Sequence, residues 1–318
     1  MKIALVTGAS SGLGREFVRQ IAEQGKVEEI WAIARRRDRL EALQSISAVP
    51  IRVLALDLTR PGDMEYLRNT LQDELPDIRI LVNAAGMGRM GPTVDIPAKD
   101  NDAMIDLNCR AAVDVTDAAF PYLHPGSQVL EICSTAGFQP IPGLNVYAAT
   151  KAFLLSYTQT LHYELSPAGI HVTAVCPYWV KDTEFIGIAE KGGHGFRHYP
   201  LASRSQDVVR RALRDSALNL RVSTPGLVCT LHRAAAKVTP NLLCLPLADW
   251  LRQDEYYARV KAKFTGPVAE RFFDTDALCA LLDAHRAGKT NAMTKLWAFY
   301  CFIEWYEVYF TEKIPPDL

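Results

Sequence analysis

Two side chains able to exchange a proton stand four residues apart in this sequence. Tyr147 and Lys151 lie in the run Tyr-Ala-Ala-Thr-Lys, at the start of a predicted helix, so the phenol and the ammonium group share one helical face. A free tyrosine has a pKa near ~10, too high for a base at neutral pH, and a nearby positive charge lowers that pKa. The pair therefore predicts a general acid/base tuned by the lysine.

Two further polar residues are predicted to complete the catalytic set. Ser134 closes the fifth predicted strand, thirteen residues before Tyr147, where its hydroxyl can hydrogen-bond to a substrate oxygen. Asn108, in Leu-Asn-Cys, is placed to hold a water next to Lys151 and to feed a proton relay. Singly, each has an ordinary alternative, since a strand-end serine is often a cap and a Tyr/Lys pair is often surface packing. Their combination and order favour catalysis.

A glycine-rich turn precedes this set, between the first predicted strand and the first predicted helix. It reads Thr7-Gly8-Ala9-Ser10-Ser11-Gly12-Leu13-Gly14. A helix N-terminus offers free N–H groups and partial positive charge, which attract a pyrophosphate, and glycine allows the backbone to approach it closely. A tight turn without a ligand is the alternative. The predicted contacts are Gly8, Ser10, Ser11, Gly12, Leu13 and Gly14.

The turn after the second predicted strand indicates which dinucleotide binds. An acidic residue at this point binds a ribose 2′-hydroxyl, whereas arginine suits a 2′-phosphate. The sequence there is Ala34-Arg35-Arg36-Arg37-Asp38-Arg39. We expect Arg35 or Arg36 to clamp the phosphate and the other two arginines to be solvated, which favours NADP(H) and leaves NAD(H) possible.

Later strand ends are predicted to contribute to the same cofactor site. Asp57 is placed to accept a hydrogen bond from the adenine amino group, with Leu58 beside it. The backbone of Asn83, Ala84, Ala85 and Gly86 is expected to pass under the cofactor.

The strands and helices that must position these residues alternate along the chain. Near-continuous apolar strands separated by helices predict an α/β Rossmann-type fold, a doubly wound parallel sheet, over residues 1–245. Aromatic residues then crowd a stretch without strand signal, which predicts an all-helical C-terminal extension, 246–318. The predicted strands are Lys2–Thr7, Glu29–Ala34, Arg52–Asp57, Ile80–Asn83, Gln128–Cys133 and His171–Cys176.

Composition excludes several other classes of protein. The chain has 318 residues, of which 49% are hydrophobic and 22% charged, with a net charge of -1. This argues against intrinsic disorder and against a nucleic-acid binder driven by positive charge. The 7 cysteines form no Cys-x-x-Cys pair, so we expect no metal site and a cytoplasmic location. A membrane partner is not expected, because the sequence lacks the ~20-residue apolar run of a spanning helix.

Together these motifs resemble the classical short-chain dehydrogenase/reductase family. The resemblance rests on Thr7-Gly8-x-x-x-Gly12-x-Gly14, Asn83-Ala84-Ala85-Gly86, Asn108, Ser134 and Tyr147-x-x-x-Lys151. It implies that Tyr147 is the acid/base, that Ser134 polarises a carbonyl and that Lys151 binds the nicotinamide ribose. It further implies cofactor contacts at Pro177, Val180 and Thr183, and dimers or tetramers formed through helices near 103–122 and 147–165. The family usually has Pro-Gly where this chain has Pro177-Tyr178.

The substrate region and the tail complete the sequence-based picture. Apolar residues near the site, among them Phe138, Ile141, Leu144, Phe185, Phe196 and Tyr199, favour a hydrophobic, steroid-like or acyl-chain substrate. A metal site at His194 and His198 is disfavoured. The tail resembles the end of an asparagine synthase-type synthetase domain without its ATP loop, and Trp297, Cys301 and Trp305 predict one buried helical face.

We therefore expect an NADP(H)-preferring oxidoreductase that interconverts a secondary alcohol and a ketone. The alternative is a non-catalytic dinucleotide-binding regulator whose helical tail docks a partner.

Overall fold

The computed structural model describes residues 1–190, 202–238, 255–287 and 292–307. The chain forms two compact units, Met1–Cys244 and Leu245–Leu318.

A seven-stranded parallel sheet forms the first unit, in the order β3-β2-β1-β4-β5-β6-β7. This confirms the predicted doubly wound fold. The last strand has two residues, too few to give a periodic signal, and was not predicted. The strands are β1 Lys2–Thr7, β2 Glu29–Ala34, β3 Ile51–Ala55, β4 Asp77–Asn83, β5 Leu123–Ile132, β6 His171–Val175 and β7 Val222–Ser223.

Alternating side chains of β1 show why the sheet is covered on both faces. Ile3 and Leu5 belong to one apolar cluster, whereas Ala4 and Val6 belong to another, and all four are fully buried. Because successive strand residues point to opposite faces, a strand that is apolar throughout needs a helical layer on each side.

The helices supply these two layers. One π-helical turn, Asp106–Arg110, joins α4 to α5. A short 3-10 turn, Thr135–Phe138, follows β5. The helices are α1 Gly12–Gln24, α2 Arg37–Glu41, α3 Pro61–Glu74, α4 Ala98–Ile105, α5 Ala111–Ala119, α6 Asn145–Leu165, α7 Phe185–Ala189, α8 Ser205–Ala217 and α9 Leu227–Val238.

The strand order reverses beside β1, which lies between β2 and β4. In such sheets the ligand crevice opens beyond the carboxyl ends of the strands at the point of reversal. The glycine turn after β1 and Ala84 after β4 therefore lie at the place where a dinucleotide is expected.

The second unit is helical where the structure describes it, which confirms that part of the prediction. On α13, Leu296, Tyr300 and Ile303 form the buried face, while Cys301 is half-buried. The side chains of Trp297 and Trp305 lie outside the described residues, so the predicted face stays a prediction. The helices are α10 Glu255–Phe264, α11 Pro267–Phe272, α12 Thr275–Arg286 and α13 Met293–Tyr306.

Within the described ranges, we find no helix whose length and hydropathy together suffice to cross a bilayer.

A polar cluster is buried between β4, β5 and α5. The Asn83 amide donates to Glu131 Oε1 at 2.7 Å and to Thr116 Oγ1 at 2.9 Å, and the Thr116 hydroxyl lies 3.0 Å from the same carboxyl oxygen. Burial raises the pKa of Glu131 to about 7, although these hydrogen bonds and the Lys151 charge act in the opposite direction. Burial raises the pKa of Tyr157 on α6, and the negative charge of the Glu131 carboxylate raises it further.

This cluster makes stability depend on pH. The folded-state pKa of Glu131 lies above its ordinary value of 4.5. The protonated carboxyl group therefore contributes its full share of folding stability below pH 4.5, and this share is lost as pH rises through about 7. We expect Glu131→Gln, which cannot ionise, to stabilise the protein at pH 8 by up to about 3 kcal/mol and to have little effect near pH 4.5.

Thermal unfolding across this pH range measures the effect, with the exposed variant Glu41→Gln as control. Parallel pH profiles for wild type and Glu131→Gln would contradict it.

Candidate active site

Helix α6 positions the two residues of the acid/base pair. Tyr147 lies in its first turn and Lys151 one turn later, and both side chains are buried. The Lys151 Nζ atom lies 5.9 Å from the centre of the Tyr147 ring and donates a hydrogen bond to the Ile132 carbonyl at 2.6 Å. The end of β5 therefore anchors the lysine beneath the tyrosine.

Ser134 follows the Ile132 carbonyl by two residues and lies beside Tyr147. Its Oγ accepts a hydrogen bond from the Ala136 amide at 3.1 Å, which caps the 3-10 turn, and its side chain lies close enough to the Tyr147 phenol to favour ionisation of that phenol. The structure thus brings Ser134, Tyr147 and Lys151 together at the carboxyl end of β5. Their catalytic roles stay predictions.

Burial dominates the electrostatics of the pair in the protein alone. Burial raises the pKa of Tyr147, and the neighbouring Ser134 side chain opposes this only in part. Burial also lowers the pKa of Lys151, against the nearby Cys133, Cys109 and Glu131 groups. In the protein alone the cost of burying a phenolate dominates the pKa of Tyr147, and the lowering of that pKa by Lys151 together with the positive ring of a nicotinamide stays a prediction.

Asn108 lies in the π-helical turn and holds the loop that follows β4. Its amide accepts from the Met87 N–H at 2.9 Å and donates to the Met87 carbonyl at 2.8 Å and to Thr150 Oγ1 at 3.0 Å. These bonds fix the backbone just after Gly86. A part for Asn108 in a proton relay stays a prediction.

An apolar wall surrounds the Tyr147 ring. Phe185 packs against it with ring centroids 5.4 Å apart. The position of Phe138 is not the predicted one, because its ring packs edge-on against His232 at 6.1 Å, beside a separate cluster. Phe196, Tyr199, His194 and His198 lie outside the described residues. Tyr147 belongs to an apolar cluster, called the wall below, that includes Met87, Met90, Ile141, Leu144, Ala148, Trp179, Phe185 and Ala189.

The glycine turn is shaped by contacts that leave no room for side chains. Gly8 has φ +66, and a Cβ there would lie 2.7 Å from the Ala84 carbonyl oxygen. A Cβ on Gly14 would lie 2.3 Å from the Gly8 oxygen. Because α1 is packed this tightly onto the turn, its first N–H groups face the crevice beyond β1.

These features fit a dinucleotide phosphate. The first turn of α1 contains no acidic residue, and the Ser11 hydroxyl makes no cap to the helix. The positive end of the helix is therefore not neutralised locally. Thr183 packs near the turn, since a Cβ on Gly12 would lie 3.4 Å from its Cβ.

Arg36 joins this turn from the segment after β2. Its Nη2 atom donates to Ser11 Oγ at 2.9 Å and to Ser10 Oγ at 3.1 Å. Its Nη1 atom pairs with Glu184 Oε2 at 3.0 Å, and Arg39 hydrogen-bonds to the same carboxylate. Arg39 is therefore ion-paired rather than simply solvated as predicted.

The other arginines of this segment make different contacts. Arg37 lies 3.8 Å from Glu41, in an exposed pair. Arg35 is exposed and interacts electrostatically with Asp57. Of the two predicted phosphate ligands, Arg36 is the one that reaches the glycine turn.

The remaining predicted cofactor contacts lie around the crevice with different exposures. The Asp57 carboxylate accepts from the Thr59 N–H at 3.1 Å and hydroxyl at 2.7 Å, and these bonds outweigh burial to lower its pKa. The side chains of Leu58 and Asn83 are buried in the core, so only their backbone can contact a ligand. The predicted contacts Ala84, Ala85 and Gly86 follow β4, and Leu13 is half-buried on α1.

The last three predicted contacts follow β6. The Pro177 carbonyl accepts from the Thr135 N–H at 3.0 Å, which ties this segment to the turn after Ser134. The Thr183 hydroxyl donates to the Val180 carbonyl at 3.0 Å. These bonds fix the backbone of the segment beside the site.

A parallel sheet with a phosphate-binding turn and a buried Ser/Tyr/Lys set defines a dinucleotide-dependent oxidoreductase. A family model described as short chain dehydrogenase matches residues 2–191. The chain therefore belongs to the short-chain dehydrogenase family, whose members are NAD(P)-dependent oxidoreductases.

Relatives and solved structures agree with this assignment. The NADP-dependent 3-hydroxy acid dehydrogenase YdfG of Escherichia coli K12 is 34% identical over 196 residues, 61% of this chain and 78% of that protein. A short-chain dehydrogenase from Sphingobium yanoikuyae in complex with NADPH superposes with a TM-score of 0.64 and 30% identity, covering 76% of this chain and 96% of that one. A bulky-bulky ketone specific alcohol dehydrogenase from Comamonas testosteroni gives 0.61 and 28%, covering 76% and 95%.

Sequence reasoning missed Glu184, the partner of Arg36 and Arg39. An acidic residue in an irregular segment gives no periodic signal. The available signal was the arginine cluster of residues 35–39 with a single aspartate, an excess of positive charge that needs a partner.

The turn can be tested by placing a methyl group on Gly8. Gly8→Ala adds the strain of a left-handed backbone and a clash with Ala84, so we expect it to destabilise the protein by well over 1 kcal/mol and to abolish dinucleotide binding. Gly25 is the matched control, because it has φ +60 with nothing within 4 Å of its Cβ. Gly25→Ala should cost only about 1 kcal/mol and leave binding intact.

Thermal unfolding and NADPH titration measure both variants. Similar losses in Gly8→Ala and Gly25→Ala would show that the close approach to Ala84 does not matter.

Proposed function

We propose that this protein is an NADP(H)-preferring oxidoreductase that interconverts a secondary alcohol and a ketone. The observation that carries the proposal is the placement of Ser134 beside the Tyr147 phenol, with Lys151 held near the same ring, at the carboxyl end of β5, two strands from β1 and its phosphate turn. These residues meet where a reacting carbon would lie beside a nicotinamide bound across the crevice.

In this proposal each side chain has one task. When bound, the nicotinamide supplies or accepts the hydride. The Tyr147 phenol gives its proton to the carbonyl oxygen during reduction, and the phenolate takes it back from the hydroxyl during oxidation. The Ser134 hydroxyl donates a hydrogen bond to the same oxygen.

Lys151 stabilises the phenolate form electrostatically, and its tether to Ile132 fixes the distance over which that charge acts. The protein alone raises the pKa of this phenol, and an oxidised nicotinamide would supply a positive ring charge that favours the phenolate needed for alcohol oxidation. The resting site therefore holds the phenol protonated, as carbonyl reduction requires.

The 2′-phosphate preference rests on Arg36. Its guanidinium group meets two serine hydroxyls of the phosphate turn, and all three groups donate well to a phosphate oxygen. The NADPH-bound Sphingobium structure and the NADP-dependent relative support the same choice.

A hydrophobic substrate follows from the wall around Tyr147. That wall is formed by aliphatic, methionine and aromatic side chains, which favour burial of an apolar ketone over a small polar one. The Comamonas enzyme named for bulky ketones supports this choice, whereas the 3-hydroxy acid of the Escherichia coli relative is more polar. We further propose that the protein acts in the cytoplasm as a homodimer or homotetramer.

Removing the phenol tests the chemistry. Tyr147→Phe keeps the packing against Phe185 but removes the proton, so we expect kcat to fall by at least about 100-fold with NADPH affinity nearly unchanged. Tyr163→Phe, on the same helix but exposed to solvent, is the control.

NADPH oxidation against steroid, aliphatic and aromatic ketones measures turnover. Equal turnover by Tyr147→Phe would refute the mechanism. NADPH binding without turnover on the whole panel would favour a regulator instead.

Removing one guanidinium group tests the cofactor preference. Arg36→Ala should weaken NADPH binding roughly 10- to 100-fold, the loss expected of a charge-assisted contact, and change NADH binding less than about twofold. Arg35→Ala is the matched control and should have a smaller effect. Titration of each nucleotide measures the dissociation constants, and equal weakening of both by Arg36→Ala would contradict the assignment.

A further inference from the structure

Glu184 lies where a 2′-phosphate is expected to bind. Its carboxylate meets Arg36 Nη1 at 3.0 Å and also hydrogen-bonds to Arg39. Arg36 at the same time donates to the hydroxyls of Ser10 and Ser11. One carboxylate, two guanidinium groups and two hydroxyls therefore converge at one point beside the phosphate turn.

A carboxylate and a phosphate compete for such a point because both present acceptor oxygens to the same guanidinium N–H groups. Arg36 already uses Nη2 on the serines and Nη1 on Glu184. A 2′-phosphate that takes the bidentate face of Arg36 has to displace the carboxylate.

The charges lead to the same conclusion. Arg36, Arg39 and Glu184 together carry a single net positive charge. A phosphate monoester carries about -1.5 to -2 at neutral pH, so a phosphate added beside a retained Glu184 leaves an excess of negative charge. Exchange of one anion for the other avoids that repulsion.

We propose that Glu184 takes the place of the 2′-phosphate in the cofactor-free protein and leaves the arginines when NADP(H) binds, which makes it a specificity-determining residue. The inference rests on the proposed recognition of the 2′-phosphate by Arg36. It adds an internal competitor that weakens phosphate binding and, in the absence of cofactor, screens the two arginines.

The exchange also reaches the catalytic tyrosine. Glu184 immediately precedes α7, and its carbonyl accepts the Ile188 N–H at 3.0 Å, within the first turn. The next residue, Phe185, packs on Tyr147. Release of the Glu184 side chain removes the tie that holds this end of α7 toward the phosphate turn, so phosphate binding loosens the wall above the phenol.

Adenosine 2′,5′-bisphosphate and adenosine 5′-monophosphate isolate the 2′-phosphate, since neither contains nicotinamide. We expect Glu184→Gln to bind the bisphosphate about threefold to tenfold more tightly than wild type at low salt, and to bind the monophosphate unchanged. The gain should shrink as salt screens the charges. Calorimetric titration measures both dissociation constants.

Glu41→Gln is the matched control, because Glu41 forms an exposed pair with Arg37 in the same segment. It should leave both affinities unchanged. Unchanged or weaker bisphosphate binding by Glu184→Gln overturns the proposal, because a carboxylate that merely orients Arg36 would give that result.

Arg36→Ala distinguishes a failure of the proposed cofactor assignment from a failure of the proposed competition by Glu184. If it fails to weaken bisphosphate binding, the proposed cofactor assignment fails. If it weakens binding while Glu184→Gln has no effect, the cofactor assignment stands and the competition by Glu184 is refuted.

Hydrogen–deuterium exchange over residues 184–190 tests the link to α7. The bisphosphate should accelerate amide exchange there in wild type, whereas Glu184→Gln should exchange rapidly without ligand. Equal exchange with the bisphosphate and the monophosphate in wild type would refute the coupling.

Discussion

The contact between α6 and the end of β5 determines the geometry of the site. Lys151 donates to the Ile132 carbonyl, and a Cβ on Gly137 would lie 2.7 Å from the Lys151 carbonyl oxygen. Helix α6 is therefore in close backbone contact with the turn after Ser134 and hydrogen-bonded to the last residue of β5. Because Tyr147 and Lys151 belong to one rigid helix, this single contact sets the positions of both relative to Ser134.

The same contact explains how a lysine remains buried in an apolar surrounding. Burial favours the neutral amine, and the hydrogen bond to Ile132 together with the field of Glu131 opposes this. Glu131 in turn is held by Asn83 and Thr116. Lys151 at the site and Glu131 in the sheet thus each carry a desolvation cost that the charge of the other reduces.

Much of this architecture could be predicted from the sequence. Strands β1 and β2 have the predicted bounds, because apolar runs between a glycine turn and a helix give an unambiguous signal. The assembly of Ser134, Tyr147 and Lys151 was also predictable, since helical spacing and the order of strand ends determine which side chains share an edge of the sheet.

What could not be predicted depends on contacts between distant segments. Arg36 and Glu184 are separated by most of the first unit, and neither residue type indicates its partner. Phe138 was assigned to the wrong cluster because the short turn after Ser134 directs its ring toward His232. The desolvation of the Tyr147 phenol could not be predicted either, because it depends on the surrounding three-dimensional packing, which no local pattern reports.

Gly88 has a consequence for how this protein can diverge. A methyl group there would lie 2.9 Å from the Phe185 ring and 3.2 Å from the Tyr147 ring, so the two aromatic rings meet above a position without a side chain. Mutation of this codon would reshape the apolar wall without altering any group assigned to chemistry. Selection for new substrates could therefore act on a spacer residue while the reactive groups remain unchanged.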